Sequence, residues 1–250
     1  MAEQLRWGWI VEWSTPSSAH MFSVRRVLYW GKSRYQEIVV LEYEELGKAL
    51  VLDGKTQSTE YDEFVYHEAL VQPAMVLHGN PERVLVLGGG EGATVREVLK
   101  FKSVREVVMV DIDEEVVRVS REMLPEWHAG AFDDPRLRLV IGDGYEYVEG
   151  SGESFDVIIA DLADPIEAGP AYKLYTREFY EAVKKRLREG GSVCDPGDKP
   201  QPHSRGPRHN IQDPGERFQA CSLLPRLRQV LRRPLGLRPG QRQQGSRLPG

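Results

Sequence analysis

"RVLVLGGGEGATVREVLK", Arg83 to Lys100, decides the fold. An apolar run suited to a buried strand passes through Gly88, Gly89 and Gly90 into a segment with Val95, Val98 and Leu99 at helical spacing. Strand, glycine loop and helix in that order open a parallel α/β sheet and leave backbone N–H groups facing a ligand. Gly88-x-Gly90-x-x-Ala93 fits the dinucleotide fingerprint, and Asp111 follows about 20 residues on, where an acid binds ribose hydroxyls. Glu91 is the odd letter, because loops of this kind usually face phosphate. A ligand that wants a negative charge there carries a positive one.

Outward from this stretch the alternation continues. "REVVMVDID", "RLRLVIGDG" and "FDVIIADLADP" read as three further strands. A helix with Val116, Val119 and Met123 on one face follows the first of them. "TREFYEAVKKRL" reads as another helix, with Phe179, Val183 and Leu187 at spacing four, and Gly190-Gly191 is expected to end it. Upstream, residues 59–78 look helical through Phe64, Ala69, Val71 and Met75, with a kink or break at Pro73. Before that, "SVRRVLYW", "YQEIVVLEYEE" and "KALVLDG" are β-rich and separated by turn signals at Gly31, Gly47 and Asp53-Gly54. The expected organisation is a β-strand domain over 1–58, a Rossmann-like α/β domain with a mostly parallel sheet over 59–191, and an irregular tail over 192–250.

The tail differs in composition. Residues 191–250 hold 11 basic and 4 acidic groups, a net of +7, and the first 190 residues hold 22 and 34, a net of −12. Nine of the 16 prolines, both cysteines (Cys194 and Cys221) and none of the ten tyrosines fall in these last 60 residues. The acidic body suits cationic ligands and argues against nucleic acid as its partner. No apolar run reaches the roughly 18 residues of a membrane span, and the first residues lack a signal-peptide pattern. Two cysteines are too few for a disulfide scaffold, so a cytoplasmic location is expected.

In open α/β sheets ligands bind outside the carboxyl ends of the strands. Acids stand at four such ends: Glu91, then Asp111 and Asp113, then Asp143, then Asp161 and Asp164. Any one of these acids alone reads most simply as a helix cap or a solvated loop residue. Their recurrence at consecutive strands points to a site. Asp143-Gly144 favours an adenosyl ligand, because an acid there accepts from the adenine amino group. The histidines are scattered without metal-ligand spacing, and no metal is expected.

These residues resemble the polyamine aminopropyltransferases, the spermidine synthases and their thermospermine-synthase relatives. The matching stretches are "YQEIVVLE", "LVLDGKTQSTEYDEFVYHEAL", "VLVLGGGEGATVREVLK", "VMVDIDEEVV", "AFDDPRLRLVIGDGYEYV" and "FDVIIADLADP", in family order from about Trp7 to Gly191. "DLADPIEAGPAYKLYTREFY" looks closer to the thermospermine type. The resemblance implies that the aminopropyl group of decarboxylated S-adenosylmethionine, a co-substrate and not a cofactor, passes to an amine such as putrescine or spermidine. 5′-Methylthioadenosine would be released. That donor has lost its carboxylate and keeps a cationic propylamine, which Glu91 can pair with. The same Glu91 would repel intact S-adenosylmethionine. By motif, Gln36 and Asp111 contact the adenosyl moiety and ribose, and Asp143 and Gly144 flank the adenine. Tyr66 and His67 line the pocket, Asp161 is the proton acceptor, and Asp164 anchors a polyamine nitrogen. Pro170 lies near the adenine, although the loop "PIEAGP" is longer here. The family forms dimers or tetramers.

Three other readings use the same residues. One is an S-adenosylmethionine-dependent methyltransferase, and a second is an NAD oxidoreductase, for which nothing nominates a hydride-transfer site. The third is a non-catalytic protein whose basic tail binds nucleic acid, although that tail lacks aromatics to stack bases. The tail also invites a reading in another frame. Permissible codons for Cys194 to Gln212, read one base later, give "VTQATSPSLTPEAHATIY", which looks like the strand and loop the family continues with. Second codon bases are nearly fixed by the amino acids, so synonym choice alone does not produce this match. A frameshift close to Val193 is therefore expected, with irregular chain from about 195 onward and little or no activity in this polypeptide.

Overall fold

The structure, a computed structural model, describes residues 8–162 and 170–195. Strands β1 (Gly8–Thr15), β2 (Ser18–Lys32), β3 (Glu37–Tyr43), β4 (Gly47–Leu52) and β5 (Lys55–Thr59) form an antiparallel sheet in sequence order. The three expected strands correspond to β2, β3 and β4, two of them overrunning β3 and β4 at their ends, and β1 and β5 are additional. Trp9, Val11 and Trp13 of β1 point outward and are exposed while Ile10 packs inward, so the strand lacks a clean apolar-in, polar-out alternation. β5, "KTQST", has no apolar residue at all and is held by its pairing with β4.

The second sheet is parallel and Rossmann-like, as expected. Its strands are β6 (Arg83–Gly88), β7 (Glu106–Asp111), β8 (Leu137–Ile141), β9 (Phe155–Asp161) and β10 (Leu187–Cys194), in the order β10-β9-β6-β7-β8. The helices are α1 (Glu63–His78), α2 (Ala93–Leu99), α3 (Glu114–Met123), α4 (Pro125–His128), α5 (Gly144–Gly150) and α6 (Arg177–Arg186). Alternate residues of β6 feed opposite faces. Val84 and Val86 pack with Leu70, Met75, Val95 and Val98 of α1 and α2. Leu85 and Leu87 pack with Val148 of α5 and Phe179 and Val183 of α6. A strand buried on both faces has to be apolar throughout, and "RVLVLG" is apolar at all four inner positions.

α3 joins the two sheets. Its Val116 and Val119 pack with Ile38, Val40 and Leu50 of the antiparallel sheet, and Tyr29 Oη donates to Glu115 Oε1 at 2.8 Å. The two domains therefore share a core.

Three local expectations need correction. α1 runs unbroken through Pro73, at the cost of one backbone hydrogen bond. Phe64 is exposed, and the inner face of α1 is Glu63, His67, Leu70, Val71, Ala74 and Met75. Two charged residues occupy the first turns of that face because they find partners inside. Gly190-Gly191 does not cap α6, which ends at Arg186 with Leu187 extended. The glycines lie within β10, where the register against β9 shifts between Leu187 and Ser192. Ser192, Val193 and Cys194 pair with Val157, Ile158 and Ile159, so the ordered domain passes the boundary at 191. Residues 196–250, and with them most of the expected irregular tail, lie outside the described residues.

Candidate active site

The chain leaves β6 toward β7 and β8 on one side, while β9 and β10 lie on the other. The crevice between the carboxyl ends of β6 and β9 is thus the switch point where open α/β sheets take ligands. Gly88 pairs with Asp161 there, and Gly89 N–H donates to the Asp161 carbonyl at 3.0 Å. Gly88 has φ +76°, and a Cβ on it would sit 2.2 Å from that carbonyl, so only glycine fits this approach.

Glu91 is buried and turned inward. It accepts from Ser58 Oγ at 2.8 and 2.9 Å, and His67 Nε2 lies 2.6 Å from its Oε1. The N–H of that ion pair is not well aligned on the oxygen. The N-cap of α2 is instead Gly92, and no side chain caps the helix. Glu91 is therefore not a helix cap.

Asp161 ends β9 and has a neutral donor on each oxygen. Tyr66 Oη donates to Oδ1 at 3.0 Å and Thr94 Oγ1 to Oδ2 at 2.5 Å. Burial raises its pKa above the usual carboxylate value, Glu91 adds to the rise, and His67, whose Nε2 is 4.0 Å away, opposes it. Such a carboxyl takes up protons more readily than an exposed one. Burial and Asp161 also keep the Tyr66 hydroxyl protonated, well above the ordinary phenol value.

Asp111 ends β7 and receives backbone N–H groups, at 2.8 Å from Asp113 and also from Gly90. Burial, with Asp113 and Asp161 nearby, pushes it up to about 6. The next acids have local work. Asp113 caps α3 through Glu115 and Val116 N–H, and also accepts from Gln36 Nε2 at 2.9 Å and Ser33 Oγ at 2.7 Å. Asp143 caps α5 through Tyr145 and Glu146 N–H, and Gly144 is the buried first residue of that helix.

Tyr66, His67, Glu91 and Asp161 thus meet at the switch point. Gln36 reaches the end of β7 from the antiparallel sheet and binds Asp113, the neighbour of Asp111. Asp143 and Gly144 stand at the next strand end. Asp164 lies outside the described residues, as does the side chain of Pro170. Ser58, Glu63, Thr94 and Arg96 belong to the cluster and escaped the sequence reading. The one signal for them was Glu63 and His67 at spacing four within an apolar helix face. Among the described residues no three His, Cys, Asp or Glu side chains converge as metal ligands do. The cluster sets the carboxylates of Glu63, Glu91, Asp111 and Asp161 against the cations His67 and Arg96. That arrangement favours cations and places a proton acceptor among them.

Comparison with known proteins agrees with this geometry. Residues 63–220 match the spermine/spermidine synthase domain, a span that continues past Gly191, and residues 8–60 match the spermidine synthase tetramerisation domain. The polyamine aminopropyltransferase of Aeropyrum pernix is 60% identical over 188 residues, covering 75% of this chain and 60% of that protein. Polyamine aminopropyltransferase 2 of Hyperthermus butylicus is 52% identical over 200 residues, 80% of this chain and 66% of that protein. The chain thus spans less than two thirds of these relatives' length. A spermidine synthase solved with the transition-state analogue AdoDATO superposes with a TM-score of 0.70 at 43% identity, over 73% of this chain and 62% of that one. With both domain matches in sequence order on the two sheets described above, the chain belongs to the spermine/spermidine synthase family.

Proposed function

We propose that this protein transfers the aminopropyl group of decarboxylated S-adenosylmethionine to an amine, releasing 5′-methylthioadenosine. The observation that carries the reading is Glu91, which is buried, aimed into the switch-point crevice and not used as a helix cap. A carboxylate there favours a donor that ends in a propylamine and disfavours one that ends in an amino acid. Asp111 takes the ribose hydroxyls, Gln36 supports that end of the donor, and Asp143 with Gly144 borders the adenine. The sulfonium already activates its own propyl carbon, so the protein's share is positioning and deprotonation. Asp161 takes the proton of the acceptor amine as its nitrogen attacks that carbon and the carbon–sulfur bond breaks. Tyr66 and Thr94 hold Asp161 in place, and Asp164 anchors a second polyamine nitrogen.

The protein works as a homo-oligomer, a dimer or a tetramer. Support comes from the tetramerisation-domain match and from Trp9, Val11, Trp13 and Met21, exposed on one face of the β1–β2 pair. No described helix is long and apolar enough to cross a membrane. We also propose a change of frame close to Val193, inside the span of the family match, which accounts for the charge, prolines and cysteines of the text that follows.

One experiment tests the whole reading. Decarboxylated S-adenosylmethionine is incubated with putrescine, spermidine or agmatine, using this chain and a version whose gene is shifted by one base after Val193. Methylthioadenosine and a longer polyamine are expected from the shifted version, and little from this chain. Methyl transfer from S-adenosylmethionine, or tighter binding of it than of the decarboxylated donor, would sink the assignment.

A further inference from the structure

Behind Glu91 the buried charges form a line. Arg96 Nη1 and Nη2 bond Glu63 Oε1 and Oε2 at 2.9 and 3.0 Å. His67 Nδ1 faces the Glu63 carbonyl oxygen at 2.7 Å and Glu63 Oε2 at 3.0 Å. His67 Nε2 faces Glu91 at 2.6 Å. The order along the line is cation, anion, cation, anion. Its protonation follows from the atoms. Nδ1 sits against a carbonyl oxygen, which only accepts, so Nδ1 carries hydrogen. With Glu91 ionised, a bare lone pair on Nε2 would be repelled by the carboxylate oxygen 2.6 Å away, so Nε2 carries hydrogen as well.

The other groups facing the ring are Asp161, with Oδ2 4.0 Å from Nε2, and Tyr66, edge-on with its centroid at 5.0 Å. Thr94 reaches the ring only through its bond to Asp161. Neither Tyr66 nor Thr94 competes with the carboxylates for the ring's protons. Burial opposes the charged ring, but Glu91, Glu63 and Asp161 overcome it and push His67 up to about 10.

We infer that Glu63 and Arg96 are positioning residues: Arg96 fixes Glu63, Glu63 holds His67 as an imidazolium, and the imidazolium holds the Glu91 carboxylate where the donor's amine binds. The last link rests on the proposed function. The protonation of the ring does not.

The test is nitrogen NMR of the His67 ring in the full chain, its signal assigned by loss in His67→Gln. Both nitrogens stay protonated beyond about pH 8.5, and Glu63→Gln lowers the midpoint by about one unit or more. A ring already neutral at about pH 7.5 in the unaltered chain overturns the inference, and that measurement needs no variant. An unmoved midpoint in Glu63→Gln overturns it equally. In calorimetry on the version shifted after Val193, Glu63→Gln weakens decarboxylated S-adenosylmethionine about tenfold and methylthioadenosine less than about threefold. Equal weakening of both removes Glu63 from donor positioning. If the version shifted by one base after Val193 binds neither ligand, the proposed function fails, and the ring titration decides the inference alone.

Discussion

At the amino end of the parallel sheet every acid in the network has an arginine. Arg83 bonds Glu106 at 2.7 Å and Glu153 at 2.6 Å, Arg138 bonds Glu153 at 2.7 Å, and Arg188 lies 3.1 Å from Asp156. At the carboxyl end of the same strands, Asp111 is held by backbone N–H groups and Asp161 by two hydroxyls. The titration behaviour divides accordingly. Burial works to raise Glu153, but Arg138, Tyr147 and Arg83 bring it down to about 2, whereas burial lifts Asp111 to about 6 and raises Asp161. Carboxylates paired with arginine at the amino end have finished their work. Those held by neutral donors keep their charge for a ligand and stay close to taking up a proton.

The largest test of this contrast is Asp161→Asn in the frame-shifted version. Turnover should fall by about 10³-fold, within the range ascribed to general acid–base catalysis. Methylthioadenosine affinity, followed by calorimetry, should stay within about twofold, since Asn keeps the size of the side chain. Near-full turnover would remove Asp161 from the mechanism.

Glu91→Gln comes next. Removing one partner of a buried ion pair costs about 3–5 kcal/mol, so the decarboxylated donor should lose at least about 100-fold in affinity. Methylthioadenosine has no propylamine and should lose far less. Equal losses would make Glu91 a scaffold residue.

Acid separates the two ends without any mutation. As pH falls through about 6, Asp111 gains a proton and loses acceptor capacity for ribose hydroxyls. Methylthioadenosine affinity should then drop about tenfold per pH unit below that point. For folding the signs differ. A raised pKa means that Asp111 disfavours the fold above about pH 6, a cost relieved as pH falls through that value. Glu153 is depressed, so its favourable share is complete above about 4.5 and lost as pH falls toward 2. Between about pH 6 and 4.5, binding should weaken while the melting temperature shows no loss from the Glu153 cluster. Affinity that is flat down to pH 4.5 would detach Asp111 from the ligand.

The smallest effect belongs to the paired end. Arg138 is substantially exposed, and Glu153 keeps Arg83 when it is removed. Arg138→Ala should cost about 1 kcal/mol or less in urea unfolding and leave methylthioadenosine affinity unchanged. A larger change in affinity than in stability would mean that the two ends are coupled.

The sequence by itself determined the elements that repeat a local pattern. Apolar runs closed by glycine or acid became β6, β7, β8 and β9, and the residue ending each strand marked the edge where the site lies. That reading needs only periodicity and turn chemistry, which neighbouring residues encode. Segments without such a pattern were not legible. β5 has no apolar residue, β1 turns its aromatics outward, and Gly190-Gly191 fits a strand irregularity as well as a helix end. Sequence could also place an acid at a strand end without saying what the acid does there. Asp113 and Asp143 became caps, whereas Glu91, in the same kind of position, did not. The difference lies in partners distant along the chain: Ser58 is 33 residues from Glu91, and Tyr66 is 95 from Asp161. Only the packing of β5 and α1 against the glycine loop brings these groups within hydrogen-bonding distance. Charge and proton affinity in a buried cluster depend on all its members at once, so the tertiary structure alone decided which carboxylates are spent and which are left for a ligand.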